Sequence, residues 1–457
     1  MTSLTARTSR WAIDLAKTNP VSPARLAAFE ILLRVEDGAY SSILLAQKEP
    51  ELEPRDRALC HELVMGVLRW QLWLDRLAEY YTKRPTTDLD VSIRLILRLG
   101  LYQLRFLSRV PASAIVNESV NLVHRARLRS AGALVNAVLR RAARELEVDP
   151  VHDISDPFER LAVGTSHPVW LIERWTRAFG NEETEAFVRA NNRAGPVAFR
   201  VVNQRASEEQ VIAKLRVSGA KFERSKIAKH AWRVTAAARL LSDLVSSGEA
   251  YIQDEASQMV AEMLEAKAGE QVLDLCAAPG SKTSQVADGM NGGGIVIASD
   301  VHAHRLRAVR GTAKLHNLPN IQCLVLNGLK PLPLKENSFD RVLIDAPCSG
   351  TGTLRHNPEI RWRISADDID DLSSRQKLLL LNAARVVRPG GRLLYSTCSV
   401  EPEENESVVQ AFLENNINFS LVDLPFPSAD TIPGVARTWP QHQDTDGFFV
   451  ASLQRNS

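Results

Sequence analysis

The chain has 457 residues, enough for two to four domains with sizeable cores. Its apolar fraction of 45% and charged fraction of 24% are those of an ordinary globular protein. No apolar run approaches the roughly 20 residues that span a bilayer, and no signal-peptide core is visible, so a cytoplasmic protein is expected.

Five cysteines, Cys60, Cys276, Cys323, Cys348 and Cys398, form no metal-type spacing. Free thiols in a reducing compartment are expected, with no metal. The net charge of +2 hides an asymmetry. Residues 1–150 hold 22 Lys+Arg against 17 Asp+Glu, residues 151–250 hold 15 against 12, and residues 251–457 hold 19 against 25. A basic front on an acidic back fits a polyanion-binding module joined to a chemical one, and equally fits ordinary solvated surface.

Residues 1–20 read as a lead-in ending at Pro20. From Pro23 to about Glu147 the pattern is helical throughout. Ala24–Val35 is amphipathic, and Asp56–Trp73 carries Leu59, Leu63, Val64, Val67, Leu68 and Leu72 near helical spacing. Ile93–Leu107 is strongly apolar with Arg94, Arg98 and Arg105 interleaved, and Pro111 follows it. Two more helices, Ser113–Arg127 and Ser130–Glu147, complete a bundle. Arg125, Arg127, Arg129, Arg140, Arg141 and Arg144 gather there. Such arginines serve either phosphate contacts or helix C-termini.

Residues 148–157 are turn-rich and read as a linker. A helix start follows at Ser166–Trp175, where His167, Trp170 and Trp175 are expected to pack. Pro196–Val202 reads as a strand, Ser207-x-x-Gln210 as a capping box, and Lys221–Glu223 and Trp232–Val234 as strand pieces. A small α+β module thus fits residues 151–250, between a helical domain over 1–150 and a chemical domain over 251–457.

The last part has the strand–turn–helix grammar of a doubly wound α/β domain, in which ligands bind at the carboxyl ends of the strands. Val272–Leu275 is a short buried strand, Pro279-Gly280 a break, and Ser281–Asp288 a helix whose first N–H groups favour a polar or anionic ligand. Gly-Ser-Lys-Thr at 280–283 lacks the spacing of a phosphate-binding P-loop. Further strands are expected at Gly294–Asp300, Ile321–Leu326, Asp340–Asp345, Gly391–Cys398 and Phe448–Leu453, with helices at Ala303–Leu315 and Ser373–Val387. Cys276, Asp300, Asn327 and Asp345 then point polar groups to one sheet edge. An acid such as Asp300 at the end of the second strand suits a ribose diol. Cys348 and Cys398 sit just past two strand ends.

Three segments carry a resemblance: Leu275-Cys-Ala-Ala-Pro-Gly-Ser-Lys282, Asp345-Ala-Pro-Cys-Ser-Gly350, and Ser396-Thr-Cys-Ser399 with Pro402-Glu-Glu-Asn405. Together they resemble the RNA cytosine-5 methyltransferases. Tyr251–Ser257 and Asp446-Gly-Phe-Phe449 look like further family segments. Ala24–Leu32, Asp56-Arg-Ala-Leu59 and Val135–Arg140 resemble the NusB-like RNA-binding domain. The combination is similar to the bacterial RsmB/Sun type, over nearly the whole chain from about residue 23.

That resemblance implies a NusB-like bundle, a small α+β module and a Rossmann-like methyltransferase. It implies S-adenosylmethionine as cofactor and a loop or weakly paired cytosine of 16S ribosomal RNA as substrate, in a monomer. Carbon 5 of cytosine is a poor nucleophile, and a thiolate added at carbon 6 activates it. The resemblance implies Cys398 as that nucleophile, Cys348 as the thiol assisting release, Asp345 as the base contact and Lys282 as an orienting group. The cofactor pocket carries over as Cys276, Ala277, Ala278, Pro279, Gly280, Ser281, Lys282, Asp300, Asn327 and Asp345. Asn327 stands where the family usually has Asp, and Ser281 where Gly is common. Two alternatives stay open: a transfer RNA substrate, or a non-catalytic RNA-binding or assembly factor.

Overall fold

The computed structural model of the protein describes residues 21–236, 239–424 and 432–457. The lead-in expected over 1–20 lies outside the described residues. The chain divides into two compact units. The first runs up to Val188 and takes in Asn357–Trp362, and the second comprises Arg189–His356 and Arg363–Ser457.

The first unit is helical: α1 (Pro23–Glu36), α2 (Ser41–Lys48), α3 (Pro54–Arg69), α4 (Gln71–Thr82), α5 (Val91–Phe106), α6 (Ala112–Arg125), α7 (Gly132–Arg144), α8 (Pro157–Thr165) and α9 (Val169–Phe179). The apolar helix α5 is its centre and packs on α1, α3, α4, α6 and α7. Ile96, Leu97 and Leu101 are fully buried on it. Arg98 is buried as well. It is held by both oxygens of Asp75, at 2.7 Å each, and by Glu36 at 2.9 Å. A charge taken from water needs such partners.

One helix was expected over Asp56–Trp73, and the structure has two, broken at Trp70. The Trp70 ring stacks on Phe106 at 5.1 Å. The apolar period continues across the break, so periodicity alone does not register the turn. His167 and Trp175 are fully buried, as packing groups would be, and burial pulls the His167 imidazole well below its usual range.

A tenth helix, α10 (Asn181–Asn191), spans the division between the units. The second unit then begins with β1 (Val197–Val201), α11 (Glu208–Val217), β2 (Lys221–Arg224), β3 (Ala231–Ala236), α12 (Arg239–Ser246) and β4 (Ala250–Ile252). This βαββαβ order folds into an antiparallel sheet β2-β3-β1-β4. The Ser207–Gln210 capping box opens α11 with both reciprocal hydrogen bonds.

After α13 (Glu255–Met263) comes the larger sheet: β5 (Gln271–Asp274), β6 (Ile295–Asp300), β7 (Ile321–Val325), β8 (Phe339–Asp345), β9 (Val387–Thr397), β10 (Phe419–Leu421), β11 (Val435–Arg437) and β12 (Phe449–Arg455). Its order is β10-β12-β9-β8-β5-β6-β7, with β11 on β12. Strands β5 to β9 are parallel, while β12 is antiparallel to β9. Helices α14 (Ser281–Gly289), α15 (Leu306–Leu315), α16 (Ala366–Ala384) and α17 (Glu406–Asn415) accompany it. From β5 the chain moves to β6 on one side and later returns to β8 on the other. That reversal leaves a crevice at the carboxyl ends, where α/β sheets of this kind bind ligands.

Candidate active site

Parallel pairing brings the expected groups to one edge. Asp300 ends β6, Asp345 ends β8 opposite Ser396 of β9, and Cys398 directly follows β9. Cys276 lies two residues past β5 and Asn327 two past β7.

The turn after β5 is built for close approach. Ala277 donates its N–H to the Ser299 carbonyl at 2.8 Å, and Ser299 Oγ donates to the Leu275 carbonyl at 2.8 Å. The Ala278–Pro279 peptide is cis. Gly280 caps α14 at φ 110°, and a Cβ there would lie 3.2 Å from the Val309 Cα. Both the dihedral and the space require glycine. No side chain caps the first N–H groups of α14. Burial first, then Asp274, raises the Cys276 thiol, so this sulfur stays protonated.

Asp300 is buried. Its Oδ1 accepts from the His302 N–H at 2.8 Å, and its Oδ2 lies 3.1 Å from Arg305 Nη1. The Arg305 side chain is 47% exposed, and its Nη2 also donates to the Ala278 carbonyl at 3.1 Å. Asn327 is exposed, and its Oδ1 already accepts from the Leu329 N–H at 3.0 Å, which leaves that oxygen a second lone pair.

Lys282 is buried on α14. Its Nζ lies 2.7 Å from Asp345 Oδ2 and 4.9 Å from the centre of the Phe448 ring. Burial pulls this ammonium down, but the Asp345 charge and hydrogen bond outweigh it and the pKa ends above the ordinary lysine value. Lys282 is therefore a fixed cation rather than a solvated surface group. Ser396 Oγ donates to the other oxygen, Asp345 Oδ1, at 2.9 Å. Beneath this pair Asp274 accepts from Thr283 Oγ1 at 2.6 Å, and burial pushes its carboxyl up to about 7.

The sulfurs of Cys348 and Cys398 are 3.3 Å apart, and both residues are half-buried. The hydrogen bond to Cys398, then burial, holds the Cys348 thiol well above the usual thiol range. The two thiols share one hydrogen bond, in which either sulfur can be the donor.

Two braces were not foreseen from sequence. In the first, Glu404 accepts from Ser349 N at 2.9 Å, Ser349 Oγ at 2.5 Å, Ser399 Oγ at 2.5 Å and Gln376 Nε2 at 2.9 Å. Its neighbour Asn405 accepts from Thr397 Oγ1 at 2.5 Å and donates to the Ser399 carbonyl at 2.9 Å. The only signal for this was the Pro402–Asn405 motif itself. In the second brace, Asp254 accepts from Thr445 Oγ1 at 2.9 Å and from Asp446 N at 3.3 Å, while His356 Nδ1 lies 2.8 Å from Asp446 Oδ1. The segments Tyr251–Ser257 and Asp446–Phe449 therefore meet, and they seat Phe448 against Lys282. Burial, then Asp446, lifts the Asp254 carboxyl to about 6.

Family models match along the chain in three places: the NusB family over residues 22–144, an RsmF/B-like ferredoxin-like domain over 167–240, and the 16S rRNA methyltransferase RsmB/F over 261–454. The probable ribosomal RNA small subunit methyltransferase B of Bacillus subtilis is 33% identical over 441 residues, which is 94% of this chain and 98% of that one. The chain belongs to the RsmB/F methyltransferase family. The RsmB relative of Pseudomonas putida is 35% identical, over 94% of this chain and 98% of its own. Among solved structures, PH0851 superposes with a TM-score of 0.83 at 30% identity, covering 96% of this chain and all of that one.

The fold is thus a NusB-like bundle, a small ferredoxin-like module and an α/β methyltransferase, and the cofactor of this RsmB/F chain is S-adenosylmethionine. The crevice suits it. The glycine-lined turn and uncapped α14 end offer N–H donors, and the buried Asp300 carboxylate offers the acceptor a ribose diol requires. Among the described residues no helix is long and apolar enough to cross a membrane.

Proposed function

We propose that this protein methylates carbon 5 of a cytosine in small-subunit ribosomal RNA, through a covalent bond between Cys398 and carbon 6. The observation that carries this reading is the pair of sulfurs 3.3 Å apart beside the Lys282–Asp345 ion pair, at the edge where the cofactor crevice opens. The names of the B. subtilis and P. putida relatives support ribosomal RNA as the substrate class.

Cys398 sulfur bonds to carbon 6, and the electron pair of the 5,6 double bond moves toward ring nitrogen 3. As charge develops on ring nitrogen 3 it takes a proton from solvent, the spare lone pairs of Asp345 accept from that N–H, and the proton returns to solvent when the ring is restored. Lys282 and Ser396 fix the carboxylate in place. S-adenosylmethionine, when bound, would supply the electrophilic methyl group to carbon 5 and leave as S-adenosylhomocysteine. Cys348 then has its role. Once Cys398 is a thioether it carries no charge and is only a weak acceptor toward Cys348. Cys348, 3.3 Å from that sulfur, releases its thiol proton to solvent and takes the proton from carbon 5 in its place. The electrons of that C–H bond restore the double bond and expel the Cys398 sulfur. The base must leave its stack for any of this, so an unpaired or weakly paired target is expected.

The Cys276–Lys282 turn, Asp300 and Asn327 would hold the cofactor, with Asn327 Oδ1 facing the adenine amino group. The decisive test uses two variants and bisulfite sequencing of ribosomal RNA from a deletion strain. Cys398→Ala abolishes methyl transfer and spares RNA binding. Cys348→Ala accumulates a protein–RNA adduct that survives denaturing electrophoresis. Full turnover by the Cys398 variant, or loss of 5-methylcytosine only from transfer RNA, overturns the reading.

A further inference from the structure

The two cysteines lie 50 residues apart in sequence, on loops after different strands, and neither loop alone fixes the gap between the sulfurs. Each cysteine is followed by a serine, Ser349 and Ser399, and both serines converge on one carboxylate. We infer that Glu404 is the positioning residue that locks the Cys348 and Cys398 loops together at reacting separation. The inference rests on the reading of those thiols as the reacting pair.

Glu404 is fully buried, and its carboxylate accepts four hydrogen bonds from neutral donors: the Ser349 N–H, the Ser349 and Ser399 hydroxyls, and the Gln376 amide. The Ser349 and Ser399 oxygens are themselves 3.0 Å apart, so the carboxylate bridges two touching loops. Its own backbone is fixed, because its carbonyl accepts from Tyr395 Oη at 2.6 Å. Tyr395 lies on β9, which Cys398 directly follows, and Gln376 lies on α16, where its amide also holds the Pro347 carbonyl at 2.9 Å. The serine ties therefore end one residue from a reacting cysteine, Tyr395 lies on the strand that runs into Cys398, and Gln376 links Glu404 to Pro347, the residue before Cys348. A buried carboxylate is costly to leave unpaired, so these bonds are made together or lost together.

The charge has a second consequence. A fixed anion beside Cys348 opposes its ionisation and adds to the effect of Cys398. The clamp thus also separates the two sulfurs by role, since it disfavours a thiolate on the wrong one.

Glutamine divides the two effects. Its carbonyl can accept from Ser349 N and Gln376, and its amide can donate to the two hydroxyls, which rotate to accept. Glu404→Gln should keep the clamp and lose the charge, whereas Glu404→Ala loses both. Purified full-length protein is treated with dibromobimane, which fluoresces once both of its bromides are displaced by neighbouring thiols. Glu404→Ala is expected to slow bridging of Cys348 and Cys398 at least fivefold and to lower kcat at least tenfold, with KM for both substrates within twofold. Glu404→Gln is expected to bridge within twofold of wild type. In a Cys398→Ser background, Glu404→Gln should speed iodoacetamide labelling of Cys348 at pH 8 several-fold, a change that a purely structural role would not produce. If Glu404→Ala does not fold, Ser349→Ala with Ser399→Ala removes the two hydroxyl ties and should slow bridging in the same way.

Wild-type bridging and kcat in Glu404→Ala overturn the inference, as does a Glu404→Gln protein that bridges no better than Glu404→Ala. If Glu404→Ala does not fold, wild-type bridging in the double serine variant overturns it. Bridging needs neither RNA nor cofactor. A wild-type protein that bridges but methylates no cytosine therefore refutes the proposed function and leaves the clamp standing.

Discussion

Asp274 holds a carboxyl lifted to about 7 by burial, against the pull of the Thr283 hydroxyl, with the Asp345 charge adding to the lift. Its ordinary value is 3.8. The folded protein therefore binds this proton more tightly than the unfolded chain does. The stabilisation is complete below the ordinary value and is lost as pH rises to about 7. Asp274→Asn carries a neutral group at every pH. Its stability relative to wild type should grow between pH 5 and pH 8 by at most about 3 kcal/mol, as read from urea unfolding. A constant difference across that range would contradict the assignment. Asn327 offers a second test at this scale. An aspartate there keeps the turn to Leu329 N–H and adds a charge where the proposed function puts the adenine amino group. Asn327→Asp should tighten S-adenosylmethionine binding several-fold by calorimetry, and an unchanged dissociation constant removes the adenine contact.

The elements that position the site were legible where sequence pattern is local. The runs ending at Asp300 and Asp345 are strands with those acids at their carboxyl ends, because an apolar run closing on a polar residue is what a buried parallel strand looks like. The Gly280 turn was legible for the same reason. What pattern did not reveal is long-range. The break at Trp70, the Glu404 clamp and the meeting of Asp254 with Asp446 each depend on partners far along the chain, and such pairings leave no periodicity. Gly352 is a further case. Its N–H donates to the Cys398 carbonyl at 2.9 Å and its carbonyl accepts from Gly447 N at 2.8 Å. A Cβ there would sit 2.0 Å from the Gly447 oxygen and 2.9 Å from the Cys398 oxygen, both rigid backbone atoms. Gly352→Ala must push the cysteine loop and the 446–449 loop apart. We expect kcat to fall at least tenfold and stability to drop by about 1–3 kcal/mol.

At the scale of the whole molecule, charge is unevenly distributed. The first 150 residues are net basic and the last 207 net acidic. Arg129, Arg140 and Arg144, before and along α7, are exposed. If these arginines neutralise phosphates, replacing all three with Gln should reduce the slope of log affinity for RNA against log salt by about 2. It should leave methylation at saturating RNA unchanged. An unaltered slope would assign this face another partner.

The short stretch Asn357–Trp362 is read out between Cys348 and Cys398 yet belongs to the helical unit. There Glu359 takes the Ser41 N–H at 2.8 Å and the Ser41 hydroxyl at 3.0 Å, and Arg361 donates to the Ser166 carbonyl at 3.0 Å. The helical unit is thus completed by a thread that the other unit's gene segment encodes. No single cut in the polypeptide yields two whole pieces. A ribosome finishing the front of this protein has not yet made the plug that seals it.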